Sequence, residues 1–591
     1  MTIQSNIFLE PAPTQIPEQL KKYIVKQHYD QYTPEHQSTW RYIMRQLKDF
    51  LSKNAHPSYL KGLKETGITI DKIPSIDDID KKLQKLGWRA MPVSGFIPPA
   101  AFMEFQLNNI LPIASAIRTV EHISYTPAPD IVHEAAGHAP FLVHPVFNSF
   151  LKQYAKVVRK AITNKQDFEQ YSAIRKLSDI KEDPNAPPEE IQKAQAHLNK
   201  INSELKSPSE ASLLSRFIWF TSEYGLIGDM KKQKIYGAGL LSSLGEAKKC
   251  LHPDVKKIPL DSSCVEYSYD ITDYQPQLFV TPDFETLHTV LEDLKKKCAF
   301  YLGGEYGLKK AKEAETVCTI ELNTGLQISG VLENYVHEGD QTLFIKLKGA
   351  CQLSYQEQQL KGHGSQTHES GYSTPLGVLR GSHIPPHQMS FSEFKKHYTE
   401  KNGDMKLEFA SGWMLQGTLI ESIHKDNKLI LLRFKNCQVK RGDTIYYKPE
   451  WGFFDLALGE KISSVFGGPA DRFAYGDLED FEAIYVPSTA FTSEHKQALS
   501  FYQKIRSARE STDRSPLYFE TLMKEYHKYF SKHWLTGVEL LELAYIFKRP
   551  TKEKQLLTKK LISASNNNYK NEKRPFIKNA IHLIEKEHKI I

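Results

Sequence analysis

The sequence predicts a multidomain protein: a mainly α domain with short strands, then a β-rich duplicated region and a helical C-terminal region. Three observations lead to this prediction. Apolar residues recur at helical spacing near both ends of the chain, whereas apolar and polar residues alternate between glycines in the middle. The length of 591 residues also exceeds what one hydrophobic core normally organises. We place the three parts at residues 1–310, 316–460 and 488–591.

The composition is typical of a globular protein, with 40% hydrophobic and 25% charged residues. A net charge of +7 is small for this length, so nucleic acid is not an expected partner. No apolar run approaches the roughly 20 residues that cross a bilayer, and the first residues lack the pattern of a signal peptide. The six cysteines are scattered and form no C-x-x-C pair. We therefore expect a cytoplasmic protein that makes no membrane contact.

The first hundred residues predict helices followed by a short strand. Within residues 17–86, Thr33-Pro34 marks a helix start, because a threonine before a helix-starting proline is a good N-terminal signal. Residues 87–97 predict a short strand and a turn. The helical stripe after Pro34 consists of Trp40, Ile43, Met44, Leu47, Phe50 and Leu51.

A candidate metal site lies at His133-Glu134-x-x-x-His138. Neutral imidazole is the commonest protein ligand for a divalent transition metal. The two histidines are five residues apart, so a regular helix would separate them by roughly 140°. Zinc peptidases use His-Glu-x-x-His instead, which keeps both histidines on one helix face. The spacing argues against a peptidase and predicts a π-bulge near Ala136-Gly137.

The third candidate ligand is Glu223, 85 positions after His138. Leu214 and Phe217 precede it on a predicted buried helix face, where an unpaired carboxylate is costly and a metal cation is its natural partner. The separation includes a charged, lysine-rich stretch at about residues 160–208. This stretch predicts an insertion, either an exposed helical hairpin or a flexible excursion.

Two histidines and one carboxylate on one face of an iron leave three positions open, as in non-haem Fe(II) oxygenases. Zinc fits the same donors but has no redox chemistry. Two interpretations of other classes remain open. One is a zinc hydrolase with Glu134 as general base; the other is a non-catalytic binding or assembly protein, against which an intact set of three ligands argues.

Three sequence blocks carry a resemblance to a known family: residues 125–145, which contain both histidines, WFTSEYGL at 219–226, and YGAGLLSSLGE at 236–246. With them the chain resembles the iron- and pterin-dependent aromatic amino acid hydroxylases, up to about residue 305. The resemblance implies a monooxygenase that hydroxylates the ring of an aromatic L-amino acid. It also implies that the enzyme uses O2, Fe(II), and tetrahydrobiopterin or a related reduced pterin.

The resemblance further implies roles for individual residues. Arg118 would hold the α-carboxylate of the amino acid, which suits a planar guanidinium, with Asp130 fixing it in place. Ile271 falls where tyrosine hydroxylases carry an acid, which favours conversion of L-phenylalanine to L-tyrosine over hydroxylation of tyrosine or tryptophan. Phe102 would stack on the pterin, although it is equally well explained as a core residue. The implied sets are iron ligands His133, His138 and Glu223; catalytic and pterin-facing Glu134; substrate contacts Arg118, Thr126, Pro129, Trp219, Ser242 and Ile271; pterin contacts Gly95, Ile97 and Phe102; and supporting hydrogen bonds from Asp130 and Ser242.

The β-rich region contains an internal duplication, at about residues 316–360 and 404–450. This predicts two related small β-barrels or sheets. One histidine and one cysteine per repeat are too few ligands for a metal, so we expect these residues to serve core packing. The aligned pairs are residues 320–325 with 407–412, His337 with His424, and Cys351 with Cys437 after a slip of one residue.

Residues 488–591 return to helical periodicity, with Leu540, Leu543 and Phe547 on one predicted helix face. The region carries no catalytic signature. From its size alone we expect one of two roles: contact between copies of the chain in a homo-oligomer, or control of access to the catalytic cleft.

Overall fold

The structure, a computed structural model, combines helices with β-sheets in a chain order of mixed, β-rich and helical parts. It describes residues 12–95, 97–124, 129–182, 186–204, 207–269, 274–382, 384–401, 403–476, 492–531, 533–567 and 574–589. Over these ranges we find no helix with the length and apolarity that a membrane span needs.

The first part of the chain is mainly helical and carries two small sheets. Strands β1 and β2 pair in parallel, and a second sheet has the order β4-β3-β6-β5. The helices are α1 Pro34–Asn54, α2 Ser58–Thr66, α3 Ile76–Leu83, α4 Pro99–Leu107, α5 Pro145–Lys160, α6 Lys165–Glu182, α7 Pro188–Glu204, α8 Glu210–Ile218, α9 Ala238–Ser242, α10 Leu244–Lys249, α11 Glu285–Lys295, α12 Ala299–Leu302 and α13 Gly304–Ala314. The strands are β1 Arg89–Val93, β2 Ile110–Ala114, β3 Leu226–Asp229, β4 Lys232–Ile235, β5 Lys256–Pro259 and β6 Gln277–Thr281.

Helix α1 begins at the predicted position. Thr33 Oγ1 accepts the backbone N–H of His36 at 3.2 Å, and His36 Nδ1 accepts that of Thr33 at 3.3 Å, with Pro34 as the first helical residue. This reciprocal cap satisfies two donors that a helix start otherwise leaves free. Every residue of the predicted stripe is buried except Phe50, which packs half-buried against the same core.

The charged stretch after α5 folds as a helical hairpin, one of its two predicted forms. Helices α6 and α7 pack against each other through a small cluster of their own: Ala173, Leu177, Ala194 and Leu198 are buried there, flanked by isoleucines. This cluster is separate from the main core. The hairpin therefore adds little to the packing around the candidate metal site.

Antiparallel strands dominate the middle of the chain. One sheet has the order β10-β9-β8-β7-β17 with β11 also on β9, and the other has the order β12-β13-β14-β15 with β16 also on β14. The strands are β7 Val317–Leu322, β8 Leu326–Glu338, β9 Gln341–Tyr355, β10 Gln358–Gln359, β11 Tyr372–Pro375, β12 Met405–Glu408, β13 Trp413–Lys425, β14 Lys428–Arg441, β15 Thr444–Tyr447, β16 Phe454–Ala457 and β17 Ile462–Gly467; the short helices α14 Phe391–Tyr398 and α15 Arg472–Tyr475 accompany them.

The two sequence repeats have the same local structure. In each repeat a short strand and two long strands form a meander, β7-β8-β9 and β12-β13-β14. The β8–β9 ladder shifts register between 329 and 331, 332 and 334, and 336 and 337. The β13–β14 ladder shifts between 416 and 418, 419 and 421, and 423 and 424, each 87 residues later (424 − 337 = 87). Because bulges set strand curvature, the repeats share shape as well as pattern.

The C-terminal helices pack on the first part of the chain. Helices α16, α18 and α20 contact α1, and their apolar residues join the same buried core as those of α1 and of the strands near the candidate site. Arg41 and Arg45 of α1 form ion pairs with Glu542 of α18. These ion pairs thus connect the first part of the chain to its C-terminal helices. The helices are α16 Ser493–Glu510, α17 Pro516–Glu525, α18 Trp534–Ile546, α19 Thr551–Asn567 and α20 Arg574–Lys589.

Candidate active site

Residues 132–138 form a π-helix that contains both histidines, so the predicted local widening of the helix is confirmed. A π-helix closes its backbone hydrogen bonds between residues five apart, which brings side chains at that spacing onto one side. The rings of His133 and His138 lie edge to face with their centroids 4.8 Å apart. The π-helix, which is rare, therefore lets two histidines that are five residues apart face the same point.

A second π-helix, Trp219–Glu223, presents Glu223 to these rings. Small residues let the segments approach closely: a Cβ at Gly137 would lie 2.8 Å from the carbonyl oxygen of Ala238, and one at Gly237 would lie 2.5 Å from that of Glu223. Real Cβ atoms do not come so close to backbone, so these positions require glycine.

The donor atoms of the three side chains converge at nearly equal distances. Nε2 of His133 lies 3.2 Å from Oε2 of Glu223 and 3.1 Å from Nε2 of His138, and Nε2 of His138 lies 3.2 Å from Oε1 of Glu223. Ligands at right angles, with bonds of about 2.0–2.2 Å, are roughly 3 Å apart. The donor set therefore fits three adjacent positions of a six-coordinate ion, as two histidines and one carboxylate provide in non-haem iron sites.

The charges around this point favour a cation. Burial alone would raise the pKa of Glu223, but the neighbouring His138 and His133 outweigh it and hold that pKa well below its usual range. Burial likewise opposes charge on His138, yet Glu223 raises the pKa of that ring to about 9. Donors that face one another in this way require positive charge between them; a proton on His138 supplies it without a metal, and a divalent ion bound to the neutral rings would supply it in place of that proton.

Ser242 fixes the orientation of one ligand ring. Its hydroxyl donates to the carbonyl oxygen of Ala238 at 2.7 Å, and its Oγ lies 3.1 Å from Nδ1 of His133. Since the single hydroxyl proton is used on Ala238, Oγ accepts a proton from Nδ1. His133 therefore presents the lone pair of Nε2 to the other two donors.

Replacing Ser242 with alanine is expected to lower iron affinity about 10- to 100-fold, the usual effect of losing a hydrogen bond that orients a metal ligand. Iron titration followed by equilibrium dialysis measures this. Ser222→Ala is the matched control, because Ser222 is equally buried, adjoins Glu223, and has no hydrogen-bond partner for its hydroxyl among the described residues. Equal iron affinities for the two variants would exclude an orienting role for Ser242.

Arg118 and Asp130 form a buried ion pair next to the π-helix. Nε and Nη2 of Arg118 donate to the two carboxylate oxygens of Asp130 at 2.8 and 2.7 Å. Asp130 also accepts the backbone N–H of His133 at 3.0 Å, while Nη1 of Arg118 donates to the carbonyl oxygen of Ser242 at 3.0 Å. The pair links the arginine to the ligand segment and to α9.

Glu134 lies inside the protein beside the ligand rings. It is buried, Oε2 has no hydrogen-bond partner among the described residues, and burial raises the pKa of its carboxyl despite the opposing effect of His138 and His133. An orphaned buried carboxylate oxygen is costly unless a ligand or water contacts it.

The remaining predicted substrate contacts are Trp219, Pro129, Thr126 and Ile271. Trp219 starts the π-helix of Glu223, and its Nε1 donates to Gln275 Oε1 at 2.9 Å. Pro129 is half-buried directly before Asp130. Thr126 and Ile271 lie outside the described residues.

The predicted pterin contacts belong to a different cluster. Gly95 has a positive φ of 61°, in the turn after β1. Ile97 is buried in a small apolar cluster with Val93 and Phe105, and Phe102 packs against it. Phe102 is half-buried at the edge of this cluster, a position that fits either of the two roles the sequence left open.

Sequence reasoning missed two supports of Trp219. The ring of Tyr269 lies 4.6 Å from that of Trp219, and Gln275 accepts its indole N–H. The sequence offered one signal for these two contacts: Tyr269 and Gln275 belong to the same sequence block, residues 269–276, as Ile271, the residue considered for substrate specificity.

The chain is similar in sequence to known proteins. The chain matches the family described as biopterin-dependent aromatic amino acid hydroxylase over residues 18–174 and 200–321, so the match omits most of the α6–α7 hairpin. It is 29% identical over 274 residues to a phenylalanine-4-hydroxylase of Mesorhizobium japonicum, covering 46% of this chain and 83% of the relative. It is 30% identical over 272 residues to that of Pseudomonas aeruginosa, covering 45% and 84%.

A solved phenylalanine hydroxylase of Chromobacterium violaceum, with iron(III) and 7,8-dihydrobiopterin bound, aligns at 24% identity and a TM-score of 0.36, covering 47% of this chain and 92% of that one. The sequence relatives and the family match carry the assignment. This chain belongs to the biopterin-dependent aromatic amino acid hydroxylases.

Proposed function

We propose that this chain is a phenylalanine 4-monooxygenase, which converts L-phenylalanine to L-tyrosine with Fe(II), O2 and tetrahydrobiopterin or a related reduced pterin. The convergence of His133, His138 and Glu223 to within 3.1–3.2 Å of one another carries the proposal. The names of the sequence relatives support phenylalanine as substrate. Iron held by these three residues, with a reduced pterin, would supply the activation of O2 needed to hydroxylate the ring.

The protein's own contribution is positioning. Asp130 and Ser242 hold Arg118 through three of the five N–H bonds of its guanidinium, which leaves one N–H on each of Nη1 and Nη2. Two parallel N–H groups match the two oxygens of a carboxylate. Arg118 would thus anchor the amino acid, and the fixed distance from its carboxylate to its ring would direct the ring toward the metal.

Glu134 has a separate role in this proposal. Its unpartnered Oε2 would contact water or the pterin when these occupy the site, which resolves the cost of leaving it buried alone. We propose that Gly95, Ile97 and Phe102 border the pterin through backbone and ring contacts, and that Thr126, Pro129, Trp219 and Ile271 line the amino acid pocket.

Replacing Arg118 with lysine should raise KM for the amino acid and lower kcat/KM roughly 10- to 150-fold, because one charge-assisted hydrogen bond contributes about 1.5–3 kcal/mol. Lysine keeps the charge but cannot fork two hydrogen bonds. Steady-state kinetics with L-phenylalanine measure the effect, and pterin KM is the internal control. An unchanged amino acid KM would remove Arg118 from the substrate site.

We propose that residues 1–310 form the catalytic domain, with residues 316–460 and 488–591 as a duplicated β-region and a helical region of this multidomain enzyme. Because α16, α18 and α20 pack against α1, self-association through the C-terminal region would use other surfaces of it, such as those around the exposed Tyr529, which precedes α18, and Leu556 of α19. A cytoplasmic location is supported by six cysteines that are all free thiols and buried.

The decisive test is product analysis with the full chain, Fe(II) and reduced pterin on L-phenylalanine, L-tyrosine and L-tryptophan. We expect pterin-dependent tyrosine formation from phenylalanine as the fastest reaction. Faster hydroxylation of another amino acid would change the substrate. Peptide or amide hydrolysis with zinc, and no hydroxylation with iron, would establish the hydrolase alternative, whereas no turnover of either kind would favour a binding protein.

A further inference from the structure

A second group of metal-ligand side chains lies in the β-rich region, far along the chain from the iron site. His363 and His368 belong to the irregular segment between β10 and β11, and Asp455 belongs to β16. All three side chains are at least nine-tenths buried. Like the two iron-site histidines, these two are five residues apart.

The three donor atoms point at one another. Nδ1 of His363 lies 3.3 Å from Nε2 of His368, and each of these nitrogens lies 3.7 Å from Oδ2 of Asp455. Both 3.7 Å distances are too long for hydrogen bonds. Tetrahedral ligands with bonds of about 2.0–2.1 Å are roughly 3.3–3.4 Å apart. The spacing therefore exceeds that of the iron site and fits a smaller coordination number.

Arg433 of β14 balances the charge of Asp455 and also contacts one of the two rings. Its Nε and Nη2 donate to Oδ1 and Oδ2 of Asp455 at 2.7 and 2.9 Å, and its Nη2 lies 3.3 Å from Nδ1 of His363. Arginine only donates, so Nδ1 of His363 carries a lone pair, and a bound cation would take this lone pair in place of the long contact with Nη2. Each carboxylate oxygen has a second lone pair, so Oδ2 remains able to bind a cation while it accepts from Arg433.

The donor set is rich in nitrogen. Two imidazole rings converge on this point with one carboxylate that Arg433 already pairs. Such a site suits a zinc-class ion better than Ca²⁺ or Mg²⁺, which prefer oxygen.

We propose that His363, His368 and Asp455 bind a divalent zinc-class cation through three protein ligands in tetrahedral geometry, and that this ion joins the two β-repeats. The sheets explain the role. The histidines lie between β10 and β11 of the first sheet, whereas Asp455 lies on β16, which pairs with β14 of the second sheet. Binding would therefore stabilise the packing of one repeat on the other.

Co²⁺ titration of the full chain, stripped of metal by a chelator, tests the proposal. Tetrahedral Co²⁺ absorbs visible light strongly and six-coordinate Co²⁺ weakly, so the two sites are distinguishable in one sample. We expect two equivalents to bind, one of them with the intense band, and Zn²⁺ to displace that band. Binding of one equivalent with the intense band would support the site at His363, His368 and Asp455 and would contradict metal binding at the iron site. Weak absorption throughout the titration would overturn the proposal for His363, His368 and Asp455.

Two variants test whether the intense band arises from Co²⁺ bound at His363 and His368. In the double variant His363→Gln, His368→Gln we expect the intense band to vanish and binding to fall by one equivalent, with the weak absorption retained. His397→Gln is the matched control, since His397 is exposed on α14 in the same region. Retention of the intense band in the double variant would overturn the proposal. If the double variant fails to fold, the unaltered chain alone decides the question by its spectrum.

Discussion

Replacing Glu223 with alanine is expected to abolish stoichiometric iron binding and to lower kcat by more than about 100-fold. Loss of a residue that merely orients a ligand costs roughly 10- to 100-fold, and Glu223 is itself one of three converging donors. The variant also leaves the nitrogens of His133 and His138 facing each other without the carboxylate that balances a cation. Iron content by elemental analysis and tyrosine formation by chromatography measure the two effects.

The matched control is Glu292→Ala on α11, where a half-exposed glutamate pairs with Lys295 one helical turn away. Such surface pairs contribute little, so its iron content and kcat should equal those of the unaltered chain. A Glu223 variant that kept full iron occupancy and turnover would contradict the assignment of the metal centre, whatever its substrate.

Replacing Glu542 with alanine is expected to lower the free energy of unfolding by about 3–5 kcal/mol, the typical cost of removing one partner of a buried ion pair. Arg41, Arg45 and Arg509 all contact this buried carboxylate, so three cations lose one partner at once and keep only Glu539 or Glu587. Urea unfolding followed by circular dichroism measures the loss. Glu525→Ala, which removes the partner of the exposed Lys504, should cost less than about 1 kcal/mol.

The same carboxylate predicts a pH effect with a definite sign. Burial would raise the pKa of Glu542, but Arg509, Arg45 and Arg41 outweigh it and hold that pKa well below its usual range. Its stabilisation is therefore complete above the unfolded pKa of about 4.3 and declines as pH falls through the folded value. We expect the unaltered chain to lose stability in acid more steeply than a Glu542→Gln variant. If the unaltered chain and the Glu542→Gln variant lost stability equally as pH falls, Glu542 would not be held ionised by the three arginines.

These stability predictions also concern how the parts of the chain depend on each other. Because α16, α18 and α20 complete the core that α1 begins, cutting the chain near residue 310 would expose the face of α1 that they cover. Activity tests on the full chain therefore avoid a failure that has nothing to do with the metal site.

Features that depend on neighbours in sequence were predictable. The helix start at Thr33-Pro34 follows from local capping, and the π-helix around His133 and His138 follows from their spacing, because local hydrogen bonding and helical geometry decide both. The presence of two related β-structures followed from the internal duplication and from apolar alternation between glycines. The family assignment came from motif blocks in order, with no need for a three-dimensional arrangement.

Contacts between distant residues were decided only by the tertiary structure. His363 and His368 lie in the segment between the two repeats, where their sequence neighbours indicate no site, and only the pairing of β16 with β14 brings Asp455 and Arg433 to them. Likewise, nothing near Glu542 in sequence indicates three arginines around it. Periodicity records which face of an element is buried, whereas the partner of that face depends on chain topology, which brings together residues hundreds of positions apart.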